Sequence, residues 1–326
     1  MKKILAVTLC LLLAFSLVGC KKETKTNETT QVNFYVLSGP TGIGSLNLWK
    51  KAEAGETANK YNVTLTAAND EIISAISKGE ADIAAVATNL ASTLYNKTDG
   101  GVTVLAVNTT SVLYMLTNGE ELESFADLSG KTIYAFGQGA NPEYILRYVL
   151  AKNNVNPNSD VTINFVSEGS ELLNVWSKDP NAVIMAPQPV ATNLKIKNAN
   201  AKTVFDMSEE WNKVSSDSEL FMGCVIVRNE FLKENKEAVD TFLKEYEESI
   251  KKATEDLDGT AALCESKGII PKAAIAKQAI PYCGLTFITG EELKAGLSGY
   301  LKVMYDANAK SIGGKLPADD FYYANN

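Results

Sequence analysis

From Val32 onward, short runs of apolar and β-branched residues alternate with segments whose apolar positions recur every three or four residues. The first pattern buries a strand and the second buries one face of a helix, so their alternation predicts an α/β fold on largely parallel sheet. "VNFYVL" predicts a strand over 32–37, then a break from Ser38 to Gly44 and a helix from about Ser45. In "NDEIISAISKGE", Ile72, Ile73 and Ile76 share a helical face, with Asn69 or Asp70 placed to cap its start and Gly79 its end. "ADIAAVATN" predicts a buried strand ending in Thr88 and Asn89, and "VTVLAVNTTSVLYMLTN" predicts two strands separated by polar Asn108 to Ser111. The alternation resumes after Asn118. "FADLSGKTIYAF" reads as a short helix and strand, and a helix follows from Asn141. "DVTINFV", "AVIMA" and "AKTVFD" read as strands, with helices at "SELLNVWSK" and after "PQP". Near Phe221 a last strand leads into segments predicted as largely helical up to Asn326.

Two of these strands run through glycine loops onto helix starts. In "YAFGQGANPEYILRYVL", Asn141 suits the N-cap, Pro142 the first helical position, and Glu143 the positive end of the helix dipole. Unpaired N–H groups at such an end attract anions or polar ligands. A dinucleotide fingerprint requires glycine where Pro142 stands, so this loop is not a nucleotide signature. In "VLSGPTGIGSLNLW", Gly39 and Gly44 have the outer spacing of a Walker loop, but Ser45 occupies the lysine position, which excludes nucleoside triphosphate binding. Two such loops about a hundred residues apart predict two lobes facing one ligand; the alternative is that each glycine only turns the chain. Ligands of open α/β sheets lie beyond the carboxyl ends of strands, which puts Thr41, Asn89 and Asn108 where a ligand would be.

Composition narrows the compartment and the chemistry. Lys2 and Lys3 precede an apolar run from Ile4 to Phe15, too short to span a bilayer, and "LVGC" ends at Cys20. This resembles a bacterial lipobox: a signal peptide over 1–19, lipid on Cys20, and a polar, apolar-free tether to residue 31. A plain secretory signal is the alternative. Cleavage leaves 307 of the 326 residues, more than one core usually supports, so two lobes are again expected. Loss of both leader lysines takes the formal charge from -8 to -10, which opposes nucleic acid and anionic lipid alike. Cys224, Cys264 and Cys283 remain. Their spacing fits no zinc motif; a Cys264–Cys283 bridge is possible in an exported chain, and buried free thiols are the simpler reading. The chain has no histidine, which removes Ser-His-Asp and Cys-His catalysis and the histidine zinc sites. Its carboxylates fall mostly on helix faces such as "EELES" and "EESIKKATEDLD", where solvated surface is the ordinary role.

"DLSGKTIYAFGQGANPEYILRYVL", "AVIMAPQPVA" and "CVIVRNEFLKENKEAVDTFLKEYEESI" together resemble the type II solute-binding proteins of ABC importers. The likeness is to the branch that takes up sulfonates, nitrate and thiamine-precursor pyrimidines. It implies two α/β lobes with mixed or parallel sheets, one of residues 32–112 plus 225–326 and the other of 113–224, joined by two crossover hinges. It implies a cleft lined by Ser38, Gly39, Pro40, Thr41, Gly42, Thr88, Asn89 and Asn108 from one lobe, and by Gln138, Gly139, Ala140, Asn141 and Gln188 from the other. Tyr95, Tyr144, Trp176 and Trp211 are candidates to stack on a flat solute, although aromatic residues at helical spacing usually belong to a core. The implied protein is a monomer without cofactor or metal, anchored outside the cell membrane by lipid on Cys20. Its partners would be a small solute and a permease with its ATPase, with no role for nucleic acid. The loops hold no basic residue, so the expected solute is neutral, zwitterionic or weakly anionic. The competing reading is an exported lyase or synthase on the same fold, using carboxylate chemistry.

Overall fold

A computed structural model describes residues 29–110, 112–216 and 218–324. The signal peptide, Cys20 and most of the tether lie outside the described residues. In chain order the first strands and helices are β1 (Gln31–Leu37), α1 (Pro40–Ile43), α2 (Leu46–Glu53), β2 (Lys60–Thr66), α3 (Asn69–Lys78), β3 (Ile83–Ala87), α4 (Thr88–Lys97), β4 (Val102–Thr109) and β5 (Leu113–Thr117). Next come β6 (Thr132–Phe136), α5 (Asn141–Lys152), β7 (Thr162–Val166), α6 (Val175–Lys178), β8 (Val183–Pro187), α7 (Val190–Lys197), β9 (Lys202–Asp206) and α8 (Met207–Val214). The remainder is β10 (Gly223–Arg228), α9 (Asn229–Glu234), α10 (Lys236–Glu255), α11 (Leu257–Ser266), α12 (Ala273–Ala279), β11 (Leu285–Ile288) and α13 (Gly290–Ala307).

These strands form two sheets, ordered β11-β4-β10-β3-β1-β2 and β7-β6-β8-β5-β9. Both are mixed. β1 runs parallel to β2 and β3, and β6 parallel to β7 and β8, as alternation of strands and helices predicts. β10 is antiparallel to β3 and β4, and β5 is antiparallel to β8 and β9. β10 and β5 are the strands that enter a sheet directly from the other one. The chain leaves the first sheet at the end of β4 and returns to it at the start of β10, so β10 must run against the neighbours whose ends it meets.

The sequence pattern missed two strands. β2 has the partly exposed burial of a sheet edge, and β11 is a four-residue strand between helices. The predicted break from Ser38 to Gly44 contains the single turn α1. Gly79 ends α3 in the left-handed conformation as expected, but Ala68, not Asn69 or Asp70, precedes that helix, without a side-chain cap. Thr66 does the local work instead, its hydroxyl oxygen accepting the Ala68 N–H at 3.1 Å.

β3 and β4 are covered on both faces, and the apolar layer on one face of the first sheet continues into the second. Trp211 of α8 packs against Tyr148 of α5 and Tyr300 of α13, with ring centroids 4.6 and 5.6 Å apart. Phe221, just before β10, is fully buried against Gly296 of α13, where a Cβ would lie 2.5 Å from its ring. The two sheets are therefore joined by packed core as well as by chain. Cys224, Cys264 and Cys283 are buried and free; burial raises the Cys264 thiol to about 12, which keeps it protonated and unreactive.

Candidate functional site

The short passage from β4 to β5 fixes how the sheets meet. From Thr109 to Leu113 the backbone can span at most roughly 14 Å, and Leu113 pairs with Pro187 at the end of β8. Gly223 opens β10 opposite Ala87 and Thr109, the ends of β3 and β4. The loops after β1, β3, β6 and β8 thus leave facing sheet edges.

On the first edge, Gly39 adopts φ 93°, a backbone region that favours glycine. It delivers Pro40 to the start of α1. A Cβ on Gly42 would meet the Leu37 carbonyl oxygen at 2.6 Å, so the turn closes only on glycine there. Ser38 donates its N–H to the Thr66 carbonyl at 2.8 Å. Asn108, expected in a polar break, is instead buried inside β4. Its Nδ2 donates to the Thr41 carbonyl at 3.2 Å and to the Tyr246 hydroxyl at 2.8 Å, while Oδ1 accepts from Thr109 Oγ1 at 3.1 Å. Its amide therefore positions Thr41 and has no group left over. Burial raises the Tyr246 hydroxyl well above the tyrosine range, so it stays protonated. A Cβ on Gly223 would lie 2.7 Å from Asn108 Oδ1 and 2.9 Å from Thr41 Oγ1, so Thr41, Asn108 and Gly223 form one contact cluster.

Thr88 and Asn89, expected to end a strand, form the first turn of α4. Thr88 donates its N–H to the Met222 carbonyl at 3.1 Å and its hydroxyl to that of Phe221 at 2.7 Å, holding the returning crossover against the first sheet. Asn89 donates to the Ser311 carbonyl at 3.4 Å, away from Thr41.

On the second edge, Gly137 to Ala140 make the turn that starts α5, and Gln138 lies within it. Here the sequence expectation is corrected: Ala140, not Asn141, is the N-cap, and Pro142 is the second helical residue. No side chain caps α5; Glu143 in its first turn instead reaches back to the loop, its carboxylate accepting the Gly139 N–H at 2.7 Å and the Arg147 Nε–H at 2.8 Å. Asn141 is the first helical residue. It lies on the helix face of Ile145 and Val149, only 4 % exposed, and its Oδ1 has no hydrogen-bond partner. Buried amide oxygens without partners are uncommon in folded proteins.

Gln188 caps α7, its Oε1 accepting from Thr192 N at 3.2 Å and Thr192 Oγ1 at 2.8 Å. The Gln188–Pro189 peptide is cis. Gln188 also lines a groove of about 520 Å³ between α7 and α12, with Tyr114, Lys195, Gln278 and Tyr282. The Tyr114 hydroxyl ties β5 to the turn between α12 and β11 by donating to the Tyr282 carbonyl at 3.0 Å. Of the aromatic candidates, Trp211 is core, Trp176 donates to the Ala182 carbonyl at 2.8 Å, and Tyr95 donates to Asp320 at 2.5 Å. Tyr144 of α5 accepts from Asn308, after α13, at 2.8 Å. The sequence pattern passed over Gly223, Tyr246, Tyr114 and Tyr282. Gly223 alone left a local signal, a glycine opening the β-branched run "CVIV".

The sequence matches the model of the family described as NMT1/THI5 like over residues 61–258. A search of curated protein sequences returned no match. Among solved structures, an ABC transporter protein from Parabacteroides distasonis superposes with a TM-score of 0.76 at 20 % identity, over 91 % of this chain and 100 % of that one. The periplasmic aliphatic sulphonate binding protein of Escherichia coli gives 0.72 at 11 % identity, over 90 % and 92 %. The alkanesulfonate-binding protein of Xanthomonas axonopodis pv. citri, bound to MOPS, gives 0.62 at 14 % identity, over 89 % and 96 %. At these identities the likeness establishes a common two-lobed fold.

Proposed function

The chain belongs to the NMT1/THI5-like family, and from that premise we propose that it is the solute-binding component of an ABC importer. In this reading residues 32–112 plus 225–326 and residues 113–224 are the two lobes. They close about the crossovers on a small polar organic solute, a heterocycle, sulfonate or small organic acid. The protein then delivers that solute to a permease driven by its ATPase. Lipid on Cys20 would hold it, as a monomer, at the outer face of the cell membrane.

The observation that carries the reading is the pairing of the two loops. Thr41 is fixed on one sheet edge by Asn108, and Asn141 presents a buried, unpaired amide oxygen on the other. Ser38 to Gly42 and Thr88 would wall one side of the cleft, and Gln138 to Asn141 with Gln188 the other. Asn89 and Asn108 serve the site indirectly here, by holding its loops.

The test is to strip any bound solute by unfolding, refold the protein, and screen small solutes by thermal shift. Ligand at about 100 times Kd adds roughly 2.7 kcal/mol to stability, which for a chain of this size raises Tm by several degrees. The shift is expected to shrink in both Thr41→Ala and Asn141→Ala. A solute that shifts wild type and both variants equally binds elsewhere and contradicts the assignment.

A further inference from the structure

Beyond the end of β8, α7 and α12 face one another across the groove of about 520 Å³, a size ordinary for a small-molecule pocket. α7 follows β8 of the second sheet, and Tyr282 sits in the turn before β11 of the first, so each sheet supplies one wall. The rim is apolar. Ile196 of α7 is 46 % exposed and Tyr282 51 %, and among the described residues Leu316 is the one other large apolar side chain left so open. A single exposed apolar residue is ordinary, but two on opposite walls of one groove make a patch that an apolar body can cover.

No carboxylate lines this groove, although the chain carries a formal charge of -8. Lys277 is neutralised by Asp258, at 2.7 Å and outside the groove. Lys195 pairs with no carboxylate among the described residues, and its Nζ lies 6.0 Å over the Tyr282 ring. Gln188, 5 % exposed, supplies a second donor. Thr192 donates its backbone N–H to one side-chain atom of Gln188, which fixes that atom as Oε1, and the remaining Nε2 makes no hydrogen bond to a described residue. A free ammonium and an unspent amide N–H are groups that a carboxylate accepts from. One unpaired lysine answers one negative charge. A dianion such as phosphate usually recruits arginine, and both arginines of the sequence are held elsewhere, Arg147 by Glu143 and Arg228 by Asp82.

We infer that this groove is a second binding site, for a small monocarboxylate with an apolar body: its charged end meets Lys195 and the Gln188 amide, and its body covers Tyr282 and Ile196. Thr41 and Asn141 do not line the groove, and the site does not depend on the receptor reading. The test titrates 3-phenylpropanoate into the protein and follows binding by NMR, with propanoate and 3-phenylpropan-1-ol as the analogues lacking the ring and the charge. Lys195→Gln and Tyr282→Ala change exposed side chains, and the second keeps the Tyr282 carbonyl that holds Tyr114. Saturable binding is expected, weaker by about fivefold or more in each of those variants and for each analogue, with affinity kept in Thr41→Ala and Asn141→Ala. No saturation at millimolar probe, or unchanged affinity in either groove variant, overturns the inference and leaves the receptor reading untouched. Affinity lost in Thr41→Ala or Asn141→Ala but kept in the groove variants puts the probe in the cleft, which overturns the inference and supports the receptor reading.

Discussion

Asp127 shows how one side chain fixes the entry to a strand. In the segment "SFADLSGKTIY" it is the third residue after Ser124, and its carboxylate accepts the Glu123 and Ser124 N–H groups, each at 2.9 Å. The Ser124 bond, then the Glu123 bond, hold its carboxyl below the usual carboxylate range. A depressed folded-state pKa contributes stability that is present above the unfolded value, about 4, and is lost as pH falls through the folded one. The urea midpoint of wild type should therefore exceed that of Asp127→Asn at neutral pH, and the gap should close as pH drops below about 4. A gap independent of pH would mean the carboxylate charge plays no part. This motif is local, its partners lying within four residues of Asp127, although the sequence pattern read the segment only as a short helix and strand. Asn108 is the opposite case. Its partners Thr41 and Tyr246 lie 67 and 138 residues away, so a buried asparagine that braces a loop looked in the sequence like a break between strands.

Among the elements, those with a long apolar rhythm were legible and those defined by tertiary contact were not. α3 announces itself through Ile72, Ile76 and Gly79. β11 has only four residues, all partly buried, and β2 is a partly exposed edge, so neither carries a strong alternation. The helix starts were the least predictable. Asn141 has the composition of a cap, yet Ala140 holds that position without a side-chain cap, and Asn141 is the first helical residue, buried on the face of Ile145 and Val149. β10 carries a further constraint that only its neighbours reveal, because Gly223 leaves no space for a side chain between Asn108 and Thr41. Gly223→Ala should push Thr41 out of place and destabilise the fold by about 1–3 kcal/mol, with solute affinity falling by more than the stability loss explains. Unchanged urea stability together with unchanged affinity would show that the contact is easily relieved.

For the whole molecule, the alternation of strands and helices predicts the α/β class, and the two glycine loops and the chain length predict two lobes, while the antiparallel entries of β5 and β10 follow from where the chain changes sheet. That information lies in the crossovers, not in residue periodicity. The short reach of the β4-to-β5 passage brings the loop edges together, and Trp211, Tyr300 and Phe221 pack the crossover side into continuous core. On the proposed function a small solute binds between Thr41 and Asn141. Native mass spectrometry of the mature protein purified from cells that import the solute tests this most directly. The expected result is a discrete non-covalent adduct of small mass, released chemically unchanged on denaturation and depleted in both Thr41→Ala and Asn141→Ala. A bare protein mass throughout, or an adduct retained in full by both variants, would contradict it.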